Sequence, residues 1–128
     1  MVSLKPDARV LDWIAAADEK RLFLSALTLG EIRQGVAALP QSKKRSRLEA
    51  WLEVDLQERF VGRILGIDGA VADRWGWIMA QAQVRGIRLP VVDGLIAATA
   101  LQYNLTAVTR NVRDFRIEGL SVINPWQA

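Results

Sequence analysis

Neither cysteine nor histidine occurs in the 128 residues. The missing thiols exclude disulfides, thiolate nucleophiles and cysteine-type zinc sites, and they fit a reducing compartment. The missing imidazoles exclude more: a Ser-His-Asp triad, a histidine general base, and the paired-histidine route of metal-independent ribonucleases. Long apolar runs are absent as well. The longest uncharged stretch, Gly94 to Thr109, carries Thr99, Gln102, Asn104 and Thr106 and falls short of a bilayer span. The N-terminus shows no signal-like pattern of charge followed by apolar residues. A cytoplasmic protein with no membrane partner is expected, and any hydrolysis it performs must rest on carboxylates, whose preferred metals are hard ones such as Mg²⁺ or Mn²⁺.

What is present is enough for one substantial core: 51% of the residues are hydrophobic, and a chain of this length is expected to form a single domain over 1–128. The formal charge is +3 and the pI is near 9.8, a mild bias towards anionic partners. Its distribution is more informative. "KKRSR" (Lys43 to Arg47) is a compact basic cluster, and Arg110 and Arg113 flank Asn111 near the C-terminus, giving two local positive regions able to meet phosphates. A solvated helix face is the structural alternative for the first cluster.

Punctuation along the chain predicts alternating helices and strands. "PDARVLDWIAAAD" (Pro6 to Asp18) has a first-turn proline and the apolar spacing of an amphipathic helix. The short apolar run "RLFLSAL" has strand length, and "TLGEIRQGVAAL" (Thr28 to Leu39) opens on a Thr with Glu31 three residues later. Ser42 is expected to cap a helix with Leu48, Trp51, Leu52, Leu56 and Phe60 on one face. The basic cluster in its first turns opposes the helix dipole, which hints at service to a partner. "RILGI" reads as a strand, Asp68 as a cap, Val71, Trp75, Ile78 and Ala82 as a buried stripe, and Gly86 as a stop. Trp77 falls off that stripe and suits a protein interface. The Leu89 to Val92 segment leads into Asp93, "GLIAATALQY" looks helical with Asn104 at its end, and "TAVT" and "LSVI" read as strands.

Such alternation implies an α/β fold with a mainly parallel central sheet between helical layers, an α/β/α sandwich. Ligands in such sheets bind beyond the carboxyl ends of the strands. Three acid-bearing places fall there: Glu31, Asp93, and Asp114 with Asn111. Each has a structural alternative. Asp93 fits an N-cap, Glu31 the third position of a capping box with Thr28, and Asp114 a solvated turn. Together the acids would repel unless a divalent cation lay among them. Two metals about 4 Å apart on such carboxylates generate hydroxide and clamp a phosphodiester, which leaves a 5′-phosphate and a 3′-hydroxyl.

Four stretches, "LSALTLGEIRQGVAAL", "VVDGLIAATA", "TAVTRNVRDF" and "LSVINPW", resemble in order the PIN domain as found in VapC-type toxins of bacterial toxin–antitoxin modules. The resemblance runs from about Pro6 to Trp126. It implies a Mg²⁺- or Mn²⁺-dependent ribonuclease with an acidic pocket, usually a homodimer, inhibited by a small cognate antitoxin. Carried over by position, Glu31 and Asp93 match the acids of two motifs. The further metal-site acid falls at Asn111, an amide here, or at Asp114. Thr109 accompanies them as a polar pocket neighbour, and Arg110 and Arg113 as phosphate contacts.

Family members open with an apolar strand ending in Asp, whereas "MVSLKPDARV" supplies neither, and Asp7 and Asp12 fall inside a predicted helix. A shortened or a degenerate PIN-like domain is expected, with a weakened metal site. The leading expectation is a metal-dependent endoribonuclease in which Glu31, Asp93 and Asp114 bind metal and Asn111 helps position it or the activated water. Lys43, Lys44, Arg45 and the two later arginines would hold the RNA backbone. The alternative is a catalytically impaired binding module that keeps antitoxin or dimer contacts. A receiver-like domain fits less well, because it needs paired acids at the first strand.

Overall fold

The computed structural model describes residues 22–109, 115 and 117–124. The expected first helix with Asp7 and Asp12, the N-terminal segment expected to lack the family's first strand, and Arg110, Asn111, Arg113, Asp114 and Trp126 all lie outside the described residues. The chain divides into two compact units, with the boundary between Leu65 and Gly66.

In the first unit, β1 (Leu24–Ser25) runs straight into α1 (Ala26–Ala37). The helix starts two residues before the expected Thr28, because Ser25 takes the capping role: its Oγ accepts from the Leu27 amide at 3.1 Å. The expected strand run is correspondingly cut to two residues, paired in parallel with β2 (Ile64–Leu65), Leu24 opposite Ile64 and Ser25 opposite Leu65. Between these strands, α2 (Lys43–Ala50) begins at Ser42, whose Oγ accepts from the Arg45 amide at 3.2 Å as expected. It passes through a π-helical segment, Trp51–Leu56, into the short α3 (Gln57–Arg59).

That wider segment follows from the sequence. Leu48, Leu52, Leu56 and Phe60 recur every fourth residue, whereas an α-helix turns once in about 3.6 residues and would carry them off one face. A π-turn, which holds more residues, keeps the stripe together. Leu52, Leu56 and Phe60 are buried with Leu24, Ile32 and Val36, and Leu48 and Trp51 pack against them.

The second unit holds α4 (Gly69–Val84), α5 (Val91–Gln102), β3 (Ala107–Val108) and β4 (Val122–Ile123). Val71 and Ile78 of α4 are buried, with Trp75 and Ala82 packed on the same core of Leu89, Ala97, Ala98, Ala100, Ala107 and Phe115. Trp77, off the stripe, is 65% exposed. Both helices end alike. Gly86 (φ +69°) and Asn104 (φ +54°) take the left-handed conformation, and the amides of Ile87 and Leu105 reach back to Ala82 O at 2.8 Å and Ala100 O at 2.7 Å. Strand β3 pairs in parallel with β4, Ala107 opposite Val122.

The α/β class with parallel pairing is therefore observed in both units. Among the described residues the sheet consists of two separate two-stranded pieces rather than one continuous sheet. The segment Leu89 to Val92, expected to end a strand before Asp93, is instead irregular chain and the start of α5, since Pro90 is the N-cap residue and Val91 already helical. No helix among the described residues is long and apolar enough to cross a membrane.

Asp68 caps α4 as expected, Oδ1 accepting from the Val71 amide at 2.8 Å, while Oδ2 accepts from the Tyr103 hydroxyl at 3.1 Å. The Val71 amide, with smaller help from Tyr103, holds the Asp68 carboxyl below its ordinary 3.8, and the hydrogen bond to Asp68 raises the Tyr103 phenol above 10.0. The Asp68 contribution to stability is complete above the ordinary carboxylate value and fades as pH falls through the lower folded value. The Tyr103 contribution is complete below the ordinary phenol value and fades as pH rises through the raised one. Asp68→Asn keeps a capping oxygen without the charge. Its urea midpoint is expected to lie below that of the parent at neutral pH and to converge with it in acid; parallel curves would contradict this.

Candidate functional site

Two of the expected acids lie among the described residues, one in each unit. Since α1 begins at Ala26, Glu31 sits beyond the first turn and is not the capping-box glutamate expected from its spacing to Thr28. Its place is on the inward side of the helix. Thr28, three residues before it, and Ile32, beside it, are both buried. The Glu31 Oε1 atom is buried and has no hydrogen-bond partner among the described residues. An ionised carboxylate only accepts hydrogen bonds, so a buried oxygen without a donor calls for a cation or a proton.

Asp93 is likewise not the N-cap. Pro90 holds that position, and Asp93 is at the third residue of α5, half-buried, in the turn where the helix dipole favours negative charge. Next to it, Gly94 is buried against α4. A methyl group built on Gly94 would stand 2.7 Å from Met79 Sδ and 3.2 Å from both Cδ1 and Nε1 of Trp75. The sequence reading placed Trp75 in the core without connecting it to Asp93. The signal was there in the glycine that follows the acid, since glycine within a helix marks a close approach. Thr109, directly after β3, is 3% exposed, and its amide donates to Ile123 O at 3.0 Å.

The basic cluster divides into two roles. Arg45 is used by the fold: Nε donates to Glu49 Oε1 at 2.6 Å and Nη1 to Leu39 O at 3.0 Å, which ties the end of α1 to the start of α2. Lys43 and Lys44 are exposed. Lys43 and Arg47, one turn apart, line an open hollow of about 800 Å³ with Gln41, Ser42 and Ser46. Arg47, part of the basic cluster though not named among the expected RNA contacts, donates from Nε to Lys43 O at 3.4 Å.

Carboxylate oxygens are donors suited to a hard divalent cation, and the orphaned Glu31 oxygen is the feature that fits one. Among the described residues no group of three acids gathers closely enough to hold an ion by itself, and the expected third acid, Asp114, lies outside them.

The family model described as PIN domain matches residues 3–118. The chain is 38% identical to the VapC ribonuclease Y4jK of Sinorhizobium fredii, over 96% of this chain and 88% of that protein. It is 38% identical to the toxin FitB of Neisseria gonorrhoeae, over 95% and 88%. Its structure resembles the crystal structure of FitAcB from Neisseria gonorrhoeae with a TM-score of 0.91 at 37% identity, covering 98% of this chain and 91% of that one.

An uncompensated buried carboxylate opposes folding when no cation is present. In chelator, Glu31→Gln is therefore expected to unfold at a urea concentration equal to or above that of the parent. A clear loss of stability in chelator would show that Glu31 has a protein partner.

Proposed function

The chain belongs to the PIN domain family, and on that premise we propose that it is a divalent-metal-dependent endoribonuclease, the toxin of a toxin–antitoxin pair, which hydrolyses RNA phosphodiester bonds. The single observation in the structure that supports this most strongly is the buried Glu31 oxygen, to which no described residue donates. One PIN domain over residues 1–128 carries the function, and an RNA substrate places its work in the cytoplasm.

Glu31 and Asp93 are each carboxylate ligands for Mg²⁺ or Mn²⁺ in this reading, with Asp114 as the further acid and Asn111 and Thr109 as polar neighbours. When bound, the cation supplies Lewis-acid activation of water and neutralises charge at the scissile phosphate. The protein's own share is to place its carboxylates. Burial at Glu31 excludes competing water, and the first-turn dipole at Asp93 favours the negative charge. With neither histidine nor cysteine in the chain, no other side chain offers a general base near neutrality.

Lys43 and Lys44, exposed at the start of α2, meet RNA phosphates, as do Arg110 and Arg113. Arg45 contributes mainly by anchoring the helix that presents the two lysines. The protein pairs with a small antitoxin protein and with a second copy of itself. Covering the RNA face is the direct way for an antitoxin to silence the enzyme.

Asp93→Asn and Glu31→Gln are each expected to lower RNA cleavage by on the order of 100-fold or more while leaving the circular dichroism spectrum unchanged. Cleavage at the parental rate in either folded variant would remove that residue from the site. Lys43→Ala with Lys44→Ala is expected to weaken RNA binding without altering sequence preference. The slope of log affinity against log salt should become shallower by about 0.7 per lysine removed. An unchanged slope would mean that the lysines face solvent in the complex.

A further inference from the structure

Helix α5 starts without a side-chain cap of its own. Pro90 at the N-cap has neither a side-chain oxygen to offer nor an amide hydrogen. Asp93 and Gly94 belong to this uncapped first turn, which is closed by the Gly94 amide donating to Pro90 O at 3.0 Å. Two side chains of α4 meet Gly94 of this turn. Trp75 and Met79, one helical turn apart, both reach Gly94, and the two indole atoms that stand 3.2 Å from its missing methyl position, Cδ1 and Nε1, form one edge of the five-membered ring. The ring edge thus lies directly on the backbone of the residue bonded to Asp93.

The same contact carries an unusual cost. Trp75 Nε1 is buried there without a hydrogen-bond partner among the described residues, and a buried donor without an acceptor works against stability. Leucine would fill apolar space at this position without that cost. The fold tolerates it where α4 meets the turn that carries the acid.

We propose that Trp75 is a positioning residue for Asp93: its indole edge, seated on Gly94, fixes the first turn of α5 and with it the place of the Asp93 carboxylate. The metal-binding consequence rests on the role of Asp93 proposed above; the seating of the turn does not. Catalytic groups lose effect steeply with displacement, so a turn held only by its own hydrogen bonds would serve poorly as a ligand platform.

The test uses the full chain and its variants Trp75→Ala, Trp75→Leu and Trp75→Phe. One readout is amide hydrogen exchange at Gly94, compared with Leu105 at the far end of α5, whose amide donates to Ala100 O at 2.7 Å. The other is Mn²⁺ affinity, measured from the free-ion electron paramagnetic resonance signal. The alanine and leucine variants are expected to exchange Gly94 about tenfold faster with Leu105 little changed. They should bind Mn²⁺ about tenfold more weakly, and phenylalanine, a flat ring without the N–H, should restore most of both. Having two truncations keeps the test open if the alanine variant does not fold. Unchanged exchange at Gly94, equal acceleration at Gly94 and Leu105, or a loosened turn with undiminished Mn²⁺ affinity would each overturn the proposal. A parent chain that binds no Mn²⁺ would overturn the metal function itself, and selective loosening at Gly94 would then still support the seating.

Discussion

The hydrogen bond from the Leu27 amide to Ser25 Oγ decides where α1 begins, and much follows from that register. With the helix starting at Ala26, Thr28, Ile32 and Val36 turn inward to form the core, and Glu31 comes to the same side. A start at Thr28 would have given Glu31 a structural task at the capping box. The actual start takes that task away and leaves a buried carboxylate oxygen to which no described residue donates. Such an atom is destabilising unless something positive comes to it, which is why this short capping interaction bears on function as well as on folding.

Asp93 reaches a comparable condition by other means. Pro90 takes the cap position without capping, so the acid lies inside the first turn, and the helix dipole and the packing of α4 set its surroundings. Both acids are therefore placed by the beginnings of helices, one fixed by a serine hydroxyl and the other by an indole edge on a glycine. The chain's lack of histidine and cysteine gives these oxygens their importance, because they suit hard cations and leave the protein with carboxylate chemistry alone.

Helix caps at Ser42 and Asp68, stops at Gly86 and Asn104, and the stripes of α2 and α4 were legible in the sequence because each rests on a local interaction within a few residues. The α/β class was legible from alternation, and the candidate acids from the motifs around Glu31 and Asp93. Helix starts at Ser25 and Pro90 were misjudged. In both places two residues compete for the cap, and the outcome depends on what the following turn packs against, which local pattern does not carry. The π-helical segment has a sequence signal, the fourfold spacing of Leu48, Leu52, Leu56 and Phe60, that ordinary helical periodicity absorbs without comment. The contact between Trp75 and Gly94 is long-range in the chain, and no periodicity within one helix could show it.

The most direct test of the central claim, that carboxylates and a divalent cation cut RNA here by water attack, is the chemistry of the cut ends. RNA incubated with this chain and Mn²⁺ is expected to yield fragments with a 5′-phosphate and a 3′-hydroxyl, and to remain intact when a chelator is present. Fragments ending in a 2′,3′-cyclic phosphate, or cutting undiminished by chelator, would contradict the account.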